Sequence, residues 1–385
     1  MLKNVNCLKM NRIYLDNAAT TPLDPQVLEA MLPYLQHQFG NPSSIYSYGR
    51  ETRLGIENAR KSVARLLNAH PAEIFFTSGG TESSNTAILG AVRDLGCTHI
   101  ITSPIEHHAT LHTVEYLHKR DEATVSYVSI LPNGHVDLQH LGQLLQDAAP
   151  AKTLVTLMHA NNEIGNITDL HAVGALCKQF QAIFHSDTVQ TVGHLPFDLR
   201  HTPVHFITGS AHKFHGPKGA GLLYINENVQ IHPFIHGGGQ ERNMRAGTEN
   251  VYGIVGFAKA LELATEQYET DSNYIRSLKL YLAAQLQQEL PGVTFNGDSF
   301  GNSNYTVLNV SFPKSEKSEM LLMNLDMNGI CASGGSACTS GAQQGSHVIR
   351  AFNNNPNQVA VRFSFSRHNT KEEMDLLVEK LKLLI

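Results

Sequence analysis

The sequence has no Cys-x-x-Cys pair, no His-Glu-x-x-His, no G-x-G-x-x-G following a strand pattern and no G-x-x-x-x-G-K-S/T. These gaps exclude a zinc ribbon or redox dithiol, a zinc-protease helix, a dinucleotide fold and a P-loop. The five cysteines, Cys7, Cys97, Cys177, Cys331 and Cys338, are odd in number, which fits reduced thiols. Charged residues make up only 16%, the net charge is -5, and there is no basic run, so direct nucleic-acid binding is not expected. No apolar stretch reaches bilayer or signal-peptide length, so no membrane association is expected and a cytoplasmic location is the default. His108 and His112 share a helix face, but without the accompanying glutamate they are read as structural or solvated rather than metal-binding.

What is present is a chain of 385 residues with 42% hydrophobic content, enough for two or three folding units with a large core. Between about residues 70 and 226, β-rich runs alternate with helical patterns. Strands are expected near 74–77, 99–102, 124–129, 154–158, 182–186, 206–208 and 221–225, with helices near 82–95, 111–119, 138–148 and 170–179. That alternation predicts an α/β class with a doubly wound, mostly parallel sheet. A long helical pattern over 251–290 ends at Pro291-Gly292. Strands near 306–311 and 360–365, with helices near 316–327 and 371–384, then predict a smaller α+β domain. The expected division is a large domain over 16–260, with 1–15 and 261–385 forming the small one.

Three segments carry candidate chemistry. Thr77-Ser78-Gly79-Gly80-Thr81-Glu82 follows a strand and opens a helix, where backbone N–H groups and the Thr81 hydroxyl can bind an anion. Alone it reads more readily as a plain βα turn capped by Thr81. The run from Gly209 to Gly219 lies past a strand end and brings a hydroxyl (Ser210), an imidazole (His212) and an amine (Lys213) together. A partly desolvated lysine there can form a Schiff base, although most lysines are simply solvated. Asp187 closes a third β-rich run and can either cap a helix or pair with a protonated pyridine nitrogen. The order of phosphate turn, aspartate, then lysine 26 residues later, each after a strand, favours the chemical reading.

At these residues the chain resembles class V, fold-type-I pyridoxal-phosphate enzymes. The likeness is carried by the run from Tyr14 to Pro22, the Thr-Ser-Gly-Gly-Thr-Glu turn, Asn161-Asn162-Glu163-Ile164-Gly165, the lysine segment and Arg245-Ala246-Gly247-Thr248. Ser333-Gly334-Gly335-Ser336-Ala337-Cys338-Thr339-Ser340-Gly341 is similar to the cysteine loop of the cysteine desulfurases, in the subgroup with a longer, mobile loop. The resemblance implies pyridoxal 5'-phosphate held on Lys213, with Asp187 at the ring nitrogen and His107 over the ring face. It places Asn162 and Gln190 near the phenolic oxygen, and Gly80, Thr81, Ser210 and His212 around the phosphate. Thr248 matches a phosphate ligand drawn from the partner subunit, which implies a homodimer. Arg362, assisted by Asn41, would hold the carboxylate of L-cysteine, a bidentate task suited to guanidinium.

On that resemblance Lys213, His107 and Cys338 are the catalytic residues. Lys213 moves the α-proton, Cys338 takes the sulfur as a persulfide, and His107 is the candidate for moving the thiol proton. The product is alanine, and the sulfur passes to an acceptor protein, either a cluster scaffold or a thiolation enzyme. After Cys338 the chain reads Gly341-Ala342-Gln343-Gln344-Gly345-Ser346-His347, where relatives often carry an acidic residue and a proline, and this leaves the acceptor open. A selenocysteine lyase, another class V aminotransferase, and a catalytically silent assembly partner are the alternatives.

Overall fold

The structure is a computed structural model that describes residues 12–334, 345–353 and 355–385. Its strands, numbered along the chain, begin with β1 (Ile13–Tyr14), β2 (Ile74–Thr77), β3 (His99–Thr102) and β4 (Thr124–Tyr127). They continue with β5 (Thr153–Thr156), β6 (Ile183–Asp187), β7 (Phe206–Ser210) and β8 (Gly221–Ile225). The last four are β9 (Thr294–Phe295), β10 (Val307–Pro313), β11 (Ile330–Cys331) and β12 (Gln358–Ser364).

The chain folds into two compact units. The larger comprises 20–162 and 166–269, and the smaller comprises the stretch ending at Ala19, residues 163–165 and the chain from Thr270 onward. The larger unit holds a seven-stranded sheet in the order β2-β8-β7-β6-β5-β3-β4. Its strands from β3 to β7 are parallel, whereas β8 runs antiparallel to both neighbours, giving the mostly parallel α/β sheet that the alternation predicts.

The central strands are apolar on both faces because each face has its own helical cover. Ile101, Val155, Phe184, Ile207 and Leu222 join one core with Val63 and Phe257. Their neighbours Ile100, Leu154, Ile183, Phe206 and Leu223 join the other with Ile88 and Val114. Successive side chains of a strand alternate between faces, so a continuous apolar run is the pattern expected of a strand buried on both sides. The edge strand β4 is only partly covered, and Tyr127 is exposed on it.

In the smaller unit β10 lies between β9 and β12 in an antiparallel sheet, while β1 pairs in parallel with β11. The helix Lys371–Leu384 starts at a capping box between Thr370 and Glu373 and buries Met374, Leu377, Val378 and Leu381. The helical pattern expected over 251–290 is two helices, Val251–Glu266 and Tyr268–Glu289, parted at Gln267, where ψ is 0°. The pattern expected over 316–327 narrows to a 3-10 turn, Ser318–Met320, followed by the helix Leu321–Met327. Among the described residues no helix is long and apolar enough to cross a membrane.

Candidate active site

Lys213, Asp187 and the Thr77–Thr81 turn all follow strands of the large sheet: Asp187 ends β6, Lys213 closes a 3-10 turn after β7, and the turn leaves β2. The Lys213 turn is tied down from three directions. Ala211 N–H donates to the Ala220 carbonyl, Gly216 N–H donates to the Ala211 carbonyl, and His194 Nε2 donates to the Lys213 carbonyl at 2.9 Å. Beside it, Phe214 is buried edge-on against Phe257. The Thr20-Thr21 pair of the N-terminal motif laces the same turn: His212 Nδ1 lies 3.1 Å from Thr20 Oγ1, and Thr21 donates both its N–H and its hydroxyl to the His212 carbonyl. Burial and the nearby charges of Lys213 and Lys218 push His212 down to about 4, so it is neutral at pH 7.

Asp187 is buried, and one of its carboxylate oxygens accepts the Val189 N–H at 2.9 Å. Burial pushes its pKa up, while His107, the Val189 N–H and Lys213 act in the opposite direction. A carboxylate in such a place is best satisfied by a cationic hydrogen-bond donor. Gln190 is buried nearby in the same turn, whose Thr188 hydroxyl donates to the Thr208 carbonyl at 2.7 Å. His107 is the N-cap of the helix His108–Lys119, and its Nδ1 accepts the Ala109 N–H at 3.1 Å. That bond requires an unprotonated Nδ1, so a proton on neutral His107 sits on Nε2.

Two glycines show how closely these turns approach. A Cβ on Gly80 would stand 2.5 Å from Val189 Cγ2, so only glycine lets the start of the helix Gly80–Arg93 meet the Asp187 turn. A Cβ on Gly221 would stand 2.4 Å from the Gly79 backbone, and Ser210 Oγ faces Gly79 from the neighbouring strand. Thr81 is exposed at the helix start, with Ser210 buried close by. Thr248 is exposed and lines a cleft of about 150 Å³ together with Thr77, Ser78, Gly219 and Arg245 of the same chain.

This donor set fits pyridoxal 5'-phosphate. It combines an amine, a buried carboxylate suited to a ring nitrogen, and an anion cradle of helix N–H groups and hydroxyls.

In the smaller unit Arg362 is buried on β12, and its Nη2 donates to Asp16 Oδ1 at 2.6 Å. Arg362 and Ser333 exchange backbone hydrogen bonds of 2.6 and 3.2 Å. Ser346 caps the helix His347–Phe352 and donates to Glu163 Oε2 at 2.5 Å. Burial pushes Glu163 up, opposed by that hydroxyl and by the charges of His347 and Arg362. Ser333 and Ser346 therefore anchor the two ends of the stretch that carries Cys338, and Cys338 itself lies outside the described residues. Asn41 belongs to the larger unit, is exposed, and accepts the Ser43 N–H. Asn162 ends one stretch of the larger unit and is half-buried.

The class V aminotransferase family model matches residues 13–377. The chain belongs to that family, among the cysteine desulfurases. It is 43% identical over 378 residues to the cysteine desulfurase IscS of Dictyoglomus turgidum, covering 97% of this chain and 94% of that protein. A solved NifS-like protein superposes with a TM-score of 0.89 at 38% identity, covering 97% of this chain and 98% of that one. The structure described as SspA in complex with cysteine matches with a TM-score of 0.79 at 30% identity, over 93% of this chain and 100% of that one. Cysteine desulfurases use pyridoxal 5'-phosphate, which agrees with the donor set above.

Two buried acids beside these turns, Glu106 and Glu241, gave no sequence signal, and Glu82 gave one only as part of the anion turn. Glu106, next to His107, accepts the Ser103 hydroxyl at 2.7 Å and the Met158 N–H at 3.0 Å, and burial pushes it up to about 8. Glu82 and Glu241 pair with arginines around the anion turn. A buried acid whose partners lie far along the chain gives no local signal. Only the helix-start position of Glu82 was legible as an anion-turn residue.

Proposed function

We propose that this cysteine desulfurase converts L-cysteine to L-alanine, placing the sulfur on Cys338 as a persulfide for delivery to an acceptor protein. The reading is supported by the close approach of the anion turn to the turn of the buried Asp187, where a Cβ on Gly80 would stand 2.5 Å from Val189 Cγ2, with Lys213 closing the turn after the adjacent strand. Pyridoxal 5'-phosphate, when bound, supplies an electron sink for bond breaking at the substrate α-carbon. Lys213 would hold it, with Asp187 to pair with its ring nitrogen and Asn162 and Gln190 to serve its phenolic oxygen. Gly80, Thr81, Ser210 and His212 take the phosphate, with Thr248 of a second copy completing the set.

Arg362, assisted by Asn41, orients the cysteine carboxylate, and the Lys213 amine takes the α-proton. The Cys338 thiolate attacks the substrate sulfur. A sulfur–sulfur bond forms, the carbon–sulfur bond breaks with its electron pair left on carbon, and proton return yields alanine. His107 moves the thiol proton, with Nε2–H as its donor because Nδ1 is taken by the Ala109 N–H.

The reading includes a homodimer working in the cytoplasm and a protein acceptor, either a cluster scaffold or a thiolation enzyme. Support for the dimer comes from a run of exposed apolar residues in the larger unit, with Phe39 73% and Ile45 88% exposed beside Tyr46, Tyr48 and Leu54. The test is a Cys338→Ala variant assayed for sulfide and alanine from cysteine. Release at the parent rate would sink the role of the thiol, while loss of release with an unchanged visible band supports it.

A further inference from the structure

Ahead of the helix Val251–Glu266 the chain makes a turn in which Glu241, Arg242 and Asn243 have φ values of 44°, 58° and 67°. The left-handed region is unfavourable for residues with a Cβ, and three in succession persist only where their surroundings hold them. Here the holding is done by charge. Arg60, 1% exposed, donates from Nη1 to Glu241 Oε2 at 2.8 Å and from Nη2 to Oε1 at 2.9 Å, and Glu241 is itself 4% exposed.

The same two side chains grip β2 from both ends. Arg60 Nη1 also donates to the Ile74 carbonyl at 2.7 Å, and Phe76 N–H donates to Glu241 Oε2 at 2.9 Å. That strand runs directly into Thr77–Thr81. A second tie follows on the other side: Arg245 Nε donates to Glu82 Oε1 at 3.0 Å, while Ser78 N–H donates to Glu82 Oε2 at 3.0 Å. Buried pairs of this kind contribute little net stability compared with apolar packing, so what this one supplies is position.

We propose that the Arg60–Glu241 pair is a positioning clamp that fixes the phosphate-binding turn Thr77–Thr81 against the 241–248 segment, and so sets the geometry of the phosphate end of the cofactor site. Neither residue touches the cofactor; both act through the β2 backbone and the left-handed turn. The inference rests on the reading that Thr77–Thr81 takes the phosphate of pyridoxal 5'-phosphate.

The experiment strips the full-length protein of cofactor and titrates it with pyridoxal 5'-phosphate and with pyridoxal, following the visible band of the lysine adduct. In Glu241→Gln the affinity for pyridoxal 5'-phosphate falls about tenfold while that for pyridoxal stays within about twofold, since one charge-assisted contact is removed at the phosphate end only. Equal losses for both ligands, or no loss for either, would overturn the clamp. If Glu241→Gln does not fold, the double variant Arg60→Met, Glu241→Leu leaves no charge unpaired and gives the same comparison. A parent protein that fails to prefer pyridoxal 5'-phosphate over pyridoxal would overturn the phosphate reading along with the clamp. A parent that discriminates normally, with variants that discriminate as well, overturns the clamp alone.

Discussion

Arg362 donates to Asp16 through Nη2 at 2.6 Å while its backbone exchanges hydrogen bonds with Ser333. The guanidinium is thus fixed from its own unit, with little rotamer freedom left to lose when a carboxylate arrives. Arg362→Lys keeps the charge but loses the planar fork, so the KM for cysteine should rise about tenfold to a hundredfold with a smaller change in kcat. Steady-state kinetics with cysteine check this, and an unchanged KM would remove Arg362 from substrate binding.

Asp187→Asn removes the carboxylate but keeps the shape of its turn. The Lys213 adduct should still form, while kcat falls by about a hundredfold or more because the charge that strengthens the electron sink is gone. Absorbance and turnover measured on one preparation separate the two effects. Parent-like turnover would place the ring nitrogen elsewhere.

Gly221→Ala would force a methyl group into the Gly79 backbone at 2.4 Å. Overpacking of this kind costs about 1–3 kcal/mol, and because the displaced atoms belong to the anion turn, pyridoxal 5'-phosphate binding should weaken as well. Thermal melts with and without cofactor test both parts.

Stability should depend on pH through two opposed sets of buried groups. His159, His185 and His212 are held by burial at about 4, about 3 and about 4, below their ordinary 6.5. The unfolded chain binds these protons first, so their contribution is complete above pH 6.5 and is lost as pH falls toward 4 and 3. Glu106 is raised by burial from 4.5 to about 8, so the folded state keeps its proton longer and stability declines as pH rises through that interval. Glu106→Gln should flatten the alkaline limb and leave the acid limb in place, as followed by denaturant melts from pH 5 to 9. An unaltered alkaline limb would show that Glu106 is already ionised at neutral pH.

The large sheet was legible because its strands are buried on both faces, which writes β5 to β8 as short apolar or β-branched runs closed by turn residues. The division at Gln267 was not, since the helical periodicity runs through it and the break shows only in the backbone angles. The helix after His107 starts at His108, three residues before the expected 111, because an imidazole serves as its cap in place of the usual hydroxyl or carboxylate. The positions of Lys213 and Asp187 at strand ends were legible because each closes or closely follows a short β-rich run. The Arg60–Glu241 pair could not, as its members are 181 residues apart and each alone reads as an ordinary surface charge.

Lys213 should carry the cofactor that releases sulfur from cysteine. The most direct measurement is the visible spectrum of the purified protein and of Lys213→Ala, each followed by assay of alanine and sulfide from cysteine. A visible band and one alanine per sulfur released are expected in the parent, with both lost in the variant. A variant that keeps the parent's band and still makes alanine would contradict that role.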